Sequence, residues 1–72
     1  MYDYFVLSNG MTVPITYLPY DKGKLTGLIK INGEEIRESR DAIGFDDDRV
    51  RFAICSALKY IAEFKLNIFN QT

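Results

Sequence analysis

The hydrophobic positions of this chain change period once. From Asp46 onward, Val50, Ala53, Ile54, Ala57, Leu58, Ile61, Phe64 and Ile68 recur at spacings of three and four. At about 100° per residue these fall on one side of a helix. Asp46, Asp47 and Asp48 stand where a cap and first turn belong, because carboxylates there accept free backbone N–H groups and meet the positive end of the helix dipole. The spacing therefore predicts a helix from Asp46 or Asp47 to about Ile68. Before it the apolar residues come in short alternating runs broken twice by Asn-Gly, at Asn9-Gly10 and Asn32-Gly33. That dipeptide suits a two-residue type I′ hairpin, whose two central residues both need positive φ.

Counting outward from the turns gives a register. Across Asn9-Gly10, Ser8 faces Met11, Val6 faces Val13, Tyr4 faces Ile15 and Tyr2 faces Tyr17, which makes these the expected core face and leaves Phe5 and Leu7 on its back. Pro14 falls opposite Phe5 in a pair without hydrogen bonds, so its missing N–H points away from strand 1 and places strand 2 at an edge. Across Asn32-Gly33, Ile31 faces Glu34, Ile29 faces Ile36 and Lys30 faces Glu35, with Leu25 and Gly27 on the face of Ile29. Residues 18–24 read as a loop with Tyr20 at its tip, packed over the sheet edge or kept for a partner. Gly44 offers a turn into the helix, and Phe45 is placed to staple onto Val50. The expected architecture is α+β: a four-stranded antiparallel sheet of two β-hairpins with one C-terminal helix packed on a face (ββββα), residues 1–72 forming a single small domain.

Composition narrows the function classes. The 72 residues are 47% hydrophobic and 26% charged, with five Phe and five Tyr, which suits a folded domain with a core of marginal size. A net charge of −1 supplies no positive field, so direct nucleic-acid binding is a poor fit; Lys22, Lys24, Lys30 and the sheet aromatics would have to carry it. A single cysteine allows no internal disulfide. The start, Met1-Tyr2-Asp3-Tyr4, has no basic n-region, and no apolar run approaches a membrane span, so the expectation is a cytoplasmic protein away from the membrane.

No catalytic set stands out. The chain has no histidine, and Cys55, at the margin of the apolar arc, has no imidazole to act as its base. Cys55 reads as a packing residue. Consecutive aspartates on a helix point in different directions, so Asp46 to Asp48 read as capping rather than as metal ligands. No phosphate-cradling loop or zinc spacing is present. The expectation is accordingly no enzyme, no metal and no cofactor.

Two features point to a protein contact. Between Glu34 and Asp48 seven acidic residues face two arginines, a net of −5, which leaves the rest at +4. An acidic strip of Glu34, Glu35, Glu38, Asp41, Asp47 and Asp48 would meet a basic, nucleic-acid-binding surface on an enzyme. The helix, for its part, is apolar over more than one side, with Phe52 inside its narrow polar arc, and a helix of that kind needs a second surface. In size, acidity and aromatic content the chain resembles in character the small inhibitors that phages and mobile elements direct at host nucleases or CRISPR machinery. That resemblance covers no aligned motif and implies only a mode of action. The expected function is a cytoplasmic protein-binding module, of the anti-CRISPR or anti-nuclease kind, that blocks a partner by occupying a surface. The alternative is a homodimer or larger homo-oligomer with the helix face as its interface.

Overall fold

The computed structural model describes residues 2–70, with side chains through residue 67. Among the described residues five strands precede one helix: β1 (Tyr4–Val6), β2 (Thr12–Pro14), β3 (Thr16–Tyr17), β4 (Lys24–Ile31), β5 (Glu34–Asp41) and α1 (Asp47–Asn70). The fold is α+β and every strand pair is antiparallel, but the strands form two sheets, β1-β2 and β3-β4-β5, rather than one sheet of four.

The division occurs where Pro14 stands. The Ile15 N–H still donates to the Asp3 carbonyl at 2.8 Å, while the next residue, Thr16, pairs with Leu28 of β4. Pro14 has no N–H to offer β4, so β2 stays an outer strand and the chain turns at buried Ile15 before β3 joins the second sheet. The splayed strands leave a gap bordered by Pro14, Thr16, Leu28 and Lys30. The outward direction of the missing N–H was legible in the sequence. The consequence, a second sheet, was not.

The first hairpin also closes differently. Tyr4 pairs with Pro14, Phe5 with Val13 and Val6 with Thr12, one residue out of the expected register. Gly10 N–H donates to the Leu7 carbonyl and Leu7 N–H to the Met11 carbonyl, so the loop holds three residues, with Gly10 at φ 90° and the Asn9 side chain accepting from Met11 N–H. This is a turn followed by a glycine bulge. A slip of one residue exchanges the faces of β1: Phe5 and Leu7 are buried beside Val13 and Ile15, whereas Tyr4, Val6 and Met11 are exposed. Burying Phe and Leu in place of Tyr and Val removes more apolar area from water, and this outweighs the two-residue turn.

The second hairpin follows its sequence. Asn32 and Gly33 both take positive φ, Ile31 faces Glu34, and Ile29 faces Ile36. Strand β5 runs on to Asp41 instead of ending near Glu38. The residues read as a plain loop contain a further tight turn: Lys22 and Gly23 have positive φ, and Asp21 and Lys24 exchange backbone hydrogen bonds.

Helix α1 begins where the Asp46 carbonyl accepts from Val50 N–H. Its 24 residues, about 36 Å long at 1.5 Å per residue, run along the 43 Å dimension of the molecule. Val50, Ile54, Leu58 and Ala62 are buried, and Ala53, Ala57 and Ile61 partly so. Phe64, expected in the core, is 59% exposed. A row of residues four apart rotates by about 40° at each step, so the contact line moves from Val50 toward Ala62 and Leu66 and leaves Phe64 outside it. The expectation for Ile68 lies outside the described side chains. Phe45 is exposed; it shares a shallow cleft with Val50 and Ala53, so the expected staple is an open one.

Gly27 of β4 lies directly beneath the helix. A Cβ there would meet Ile54 Cγ2 at 2.6 Å, Ile15 Cγ2 at 3.2 Å and Leu58 Cδ1 at 3.3 Å. Gly27→Ala is therefore expected to cost about 1–3 kcal/mol through overpacking, read as a lower urea midpoint with an unchanged m-value. Combined with Ile54→Ala it should cost less than the two separate losses together, because the second change removes the clash.

Candidate functional site

The side of α1 that faces away from both sheets carries Arg49, Phe52, Ser56, Tyr60, Phe64 and Asn67, all exposed. Tyr60 is 76% exposed and Phe52 55%. Tyr60 and Phe64, one turn apart, form the common wall of two clefts. The cleft of about 390 Å³ is closed by Ser8, Asn9, Glu63 and Leu66, and the one of about 490 Å³ by Ile31, Asn32, Ile61 and Lys65. Both Asn-Gly hairpin ends thus flank the same stretch of helix. Ser8 is held there by Glu63, whose carboxylate accepts from the Ser8 N–H at 3.3 Å and from its hydroxyl at 3.2 Å.

At the start of the helix a linked set of side chains holds Phe52 in place. The Tyr20 hydroxyl donates to Asp47 Oδ1, and Arg51 Nε donates to Asp47 Oδ2 at 2.7 Å. The Arg51 guanidinium lies 4.4 Å from the centre of the Tyr17 ring. The Tyr17 hydroxyl donates to the Tyr2 carbonyl at 2.7 Å, and the Tyr2 ring meets Phe52 edge to face with centroids 5.5 Å apart. Tyr20, the residue at the loop tip, is therefore a tie between the β3–β4 connection and the helix. The Tyr20 and Arg51 bonds hold the Asp47 carboxyl below its ordinary range, and the Asp47 bond raises the Tyr20 phenol.

The six acidic residues expected to form a strip do not share one surface. Ile36 is buried toward the helix, so Glu34 and Glu38 lie on that face of β5, whereas Glu35 and Asp41 lie on the other. Five are in ion pairs within the chain: Glu34 with Lys65 at 2.9 Å, Glu35 with Arg37 at 3.4 Å, Glu38 with Arg40 at 2.8 Å, Asp41 with Lys24 at 3.6 Å, and Asp47 with Arg51. Exposed pairs of this kind add little stability, but they cancel the local field. Of the six, Asp48 alone has no ion pair among the described residues. Phe52 stands apart from them, on the outer helix face.

Cys55 is partly buried, its Sγ directed at the Tyr4 carbonyl at 3.9 Å, and burial pushes its thiol up. That is the opposite of what a nucleophile requires. Among the described residues no group of three His, Cys, Asp or Glu side chains could hold a metal ion, and no helix is long and apolar enough to cross a membrane. Tyr60 and Phe64 are the surface residues that sequence reasoning passed over. Ala62, small and one turn before Leu66, was the signal that the buried line had moved away from Phe64. Compared with family models, with curated proteins and with solved structures, the chain matches none.

Tyr17 makes the tie at the helix start testable. Burial, first, then the Cys55, Asp3 and Asp47 charges, against an opposing Arg51, push its phenol from 10.0 up to about 12. A raised acid favours its neutral form in the fold, so its contribution to stability is fully present below pH 10 and is lost as pH rises toward 12. Thermal midpoints should fall steeply across that window in the native protein and less steeply in Tyr17→Phe. In tyrosinate absorbance the last phenol to titrate in the native protein should be missing from the variant, while the raised Tyr20 remains.

Proposed function

We infer that this chain is a non-catalytic protein-binding module that acts by laying the outer face of α1 on another polypeptide. The observation that carries the reading is the row Phe52, Tyr60 and Phe64, each more than half exposed on a helix whose opposite side is already buried on two sheets. Folding has used the inner side, and the outer aromatics keep more than half of their surface in water until something covers them. Aromatic side chains on a rigid support are the usual energetic centres of protein interfaces. Phe52 is held by Tyr2, and both clefts beside Tyr60 and Phe64 are walled by hairpin ends. The absence of histidine and the raised Cys55 thiol support binding over chemistry.

An inhibitor that blocks a nucleic-acid enzyme in the cytoplasm by occupying its surface is the biological role this mode of action would serve. In that role the contact is made by the apolar helix face, because the acidic residues of β5 are divided between its two faces and all of the six but Asp48 are matched by the chain's own cations. The test is capture by the immobilised protein from its source cell. Tyr60→Asp with Phe64→Asp should lower partner retention by at least about tenfold, since hot-spot aromatics contribute about 2 kcal/mol or more each. Fold stability should stay within about 0.5 kcal/mol, as for exposed positions generally. Glu35→Lys with Glu38→Lys should leave retention unchanged, and retention should persist at high salt. Binding that fails with the glutamate reversals, or that fades with salt, would return the site to the acidic residues.

A further inference from the structure

On the outer face of α1, between Arg49 and Glu63, residues equally distant from Ser56 complement one another. Outward from Ser56, Phe52 and Tyr60 each lie four residues away, about 6 Å along the axis, and Arg49 and Glu63 each lie seven away, about 10 Å. We propose that the occupant of this face is a second copy of the chain, packed antiparallel about a two-fold axis beside Ser56. The proposal rests on the protein-binding reading and names the partner for it, a second copy in place of an enzyme surface.

A two-fold interface must be complementary to itself. Reversing the helix about Ser56 sets Phe52 on the partner copy's Tyr60 and Arg49 on its Glu63, each contact occurring twice. From Arg49 to Glu63 charges match charges of opposite sign and rings meet rings, while Phe64, eight residues from Ser56, falls at the margin beside the partner copy's Asp48. Serine at the crossing point is small enough to let two helix axes approach to about 8–10 Å. Other arrangements lose this match. A parallel pair sets Arg49 on Arg49 and Glu63 on Glu63, and an antiparallel pair centred on Lys59 brings two ammonium groups together.

Neither Arg49 nor Glu63 is neutralised by an ion pair among the described residues. Of the four arginines, Arg37, Arg40 and Arg51 are paired with Glu35, Glu38 and Asp47, and Arg49 has no partner among the described residues. Among the described residues Glu63 is bonded to the neutral donors of Ser8 and to no cation, so its charge is not compensated there. A face one helix wide buries on the order of 500 Å² per partner, less than the roughly 800 Å² of a standard interface, which suits a reversible dimer rather than an obligate one.

Sedimentation equilibrium over a range of concentrations should show a reversible rise from 8.3 kDa toward twice that mass. Arg49→Glu alone and Glu63→Arg alone should each weaken association by about tenfold or more, by placing like charges together twice. The double exchange should restore it. Should Glu63→Arg fail to fold for want of the Ser8 bonds, Arg49→Glu and a cross-linking variant decide the matter. In a Cys55→Ala background, Ser56→Cys should give a covalent dimer on diamide oxidation, because residues on the axis come within disulfide reach, and Lys22→Cys should not. A mass that stays at one chain at every concentration overturns the proposal, as does a dimer indifferent to Arg49→Glu and to cross-linking at residue 56. A monomer that still captures a different protein through Phe52 and Tyr60 overturns the second copy alone. A monomer whose helix face can be changed without any effect on capture overturns the protein-binding reading as well.

Discussion

The contact between Gly27 and the helix sets the height at which the rest of the molecule is built. With no side chain at the centre of β4, Ile54 and Leu58 reach the strand backbone, and a Cβ in that position would stand 2.6 Å from Ile54. Close approach at one point of a straight helix fixes which residues face inward on either side of it. Val50, Ile54, Leu58 and Ala62 follow as the buried line. The residues half a turn away, Phe52, Ser56 and Tyr60, are then outward by the same geometry. The surface left facing outward is thus a consequence of where the core admits a glycine.

The turn of the chain at Pro14 and Ile15 gives the helix its second support. Had β2 continued along β4, the sheet would have covered one side of α1 only. Instead the first hairpin leaves the second sheet and runs beside the helix, with Tyr2 at Phe52, the Tyr4 carbonyl at Cys55 and Ser8 at Glu63. This accounts for much of the apolar width of the helix within one chain: Ala62 is buried, and Cys55 and Leu66 are half covered and packed against the core. What remains uncovered is narrower than the sequence suggested and more specific, a row of aromatic residues, Phe52, Tyr60 and Phe64.

Charge follows a similar course. A run of acidic residues in sequence is a surface field only if folding sets the side chains together and leaves them unmatched. Strand alternation sends neighbours in β5 to opposite faces, and most of the carboxylates find a cation nearby. The aspartates at the helix start divide their work. The Asp46 carbonyl opens the helix, whereas the Asp47 side chain ties it to the β3–β4 connection through Tyr20 and Arg51.

Local chemistry alone determined several features of this protein. Asn32-Gly33 tolerates two positive φ values, so the second hairpin and its register were legible, as were the helix, its start at the aspartates and the outward-pointing deficit of Pro14. Each depends on residues within a few positions of one another. Three others were decided by the tertiary structure. The first hairpin gave up its two-residue turn because Phe5 and Leu7, rather than Tyr4 and Val6, complete a core to which Ile15, Ile54 and Leu58 contribute from elsewhere in the chain. The sheet became two because the effect of a missing N–H depends on whether a neighbouring strand needs it. Phe64 moved from core to surface because the line of contact drifts around a long helix at a rate set by what lies beneath it. In each case the energy that decided the outcome belongs to contacts between distant segments, which no local pattern contains.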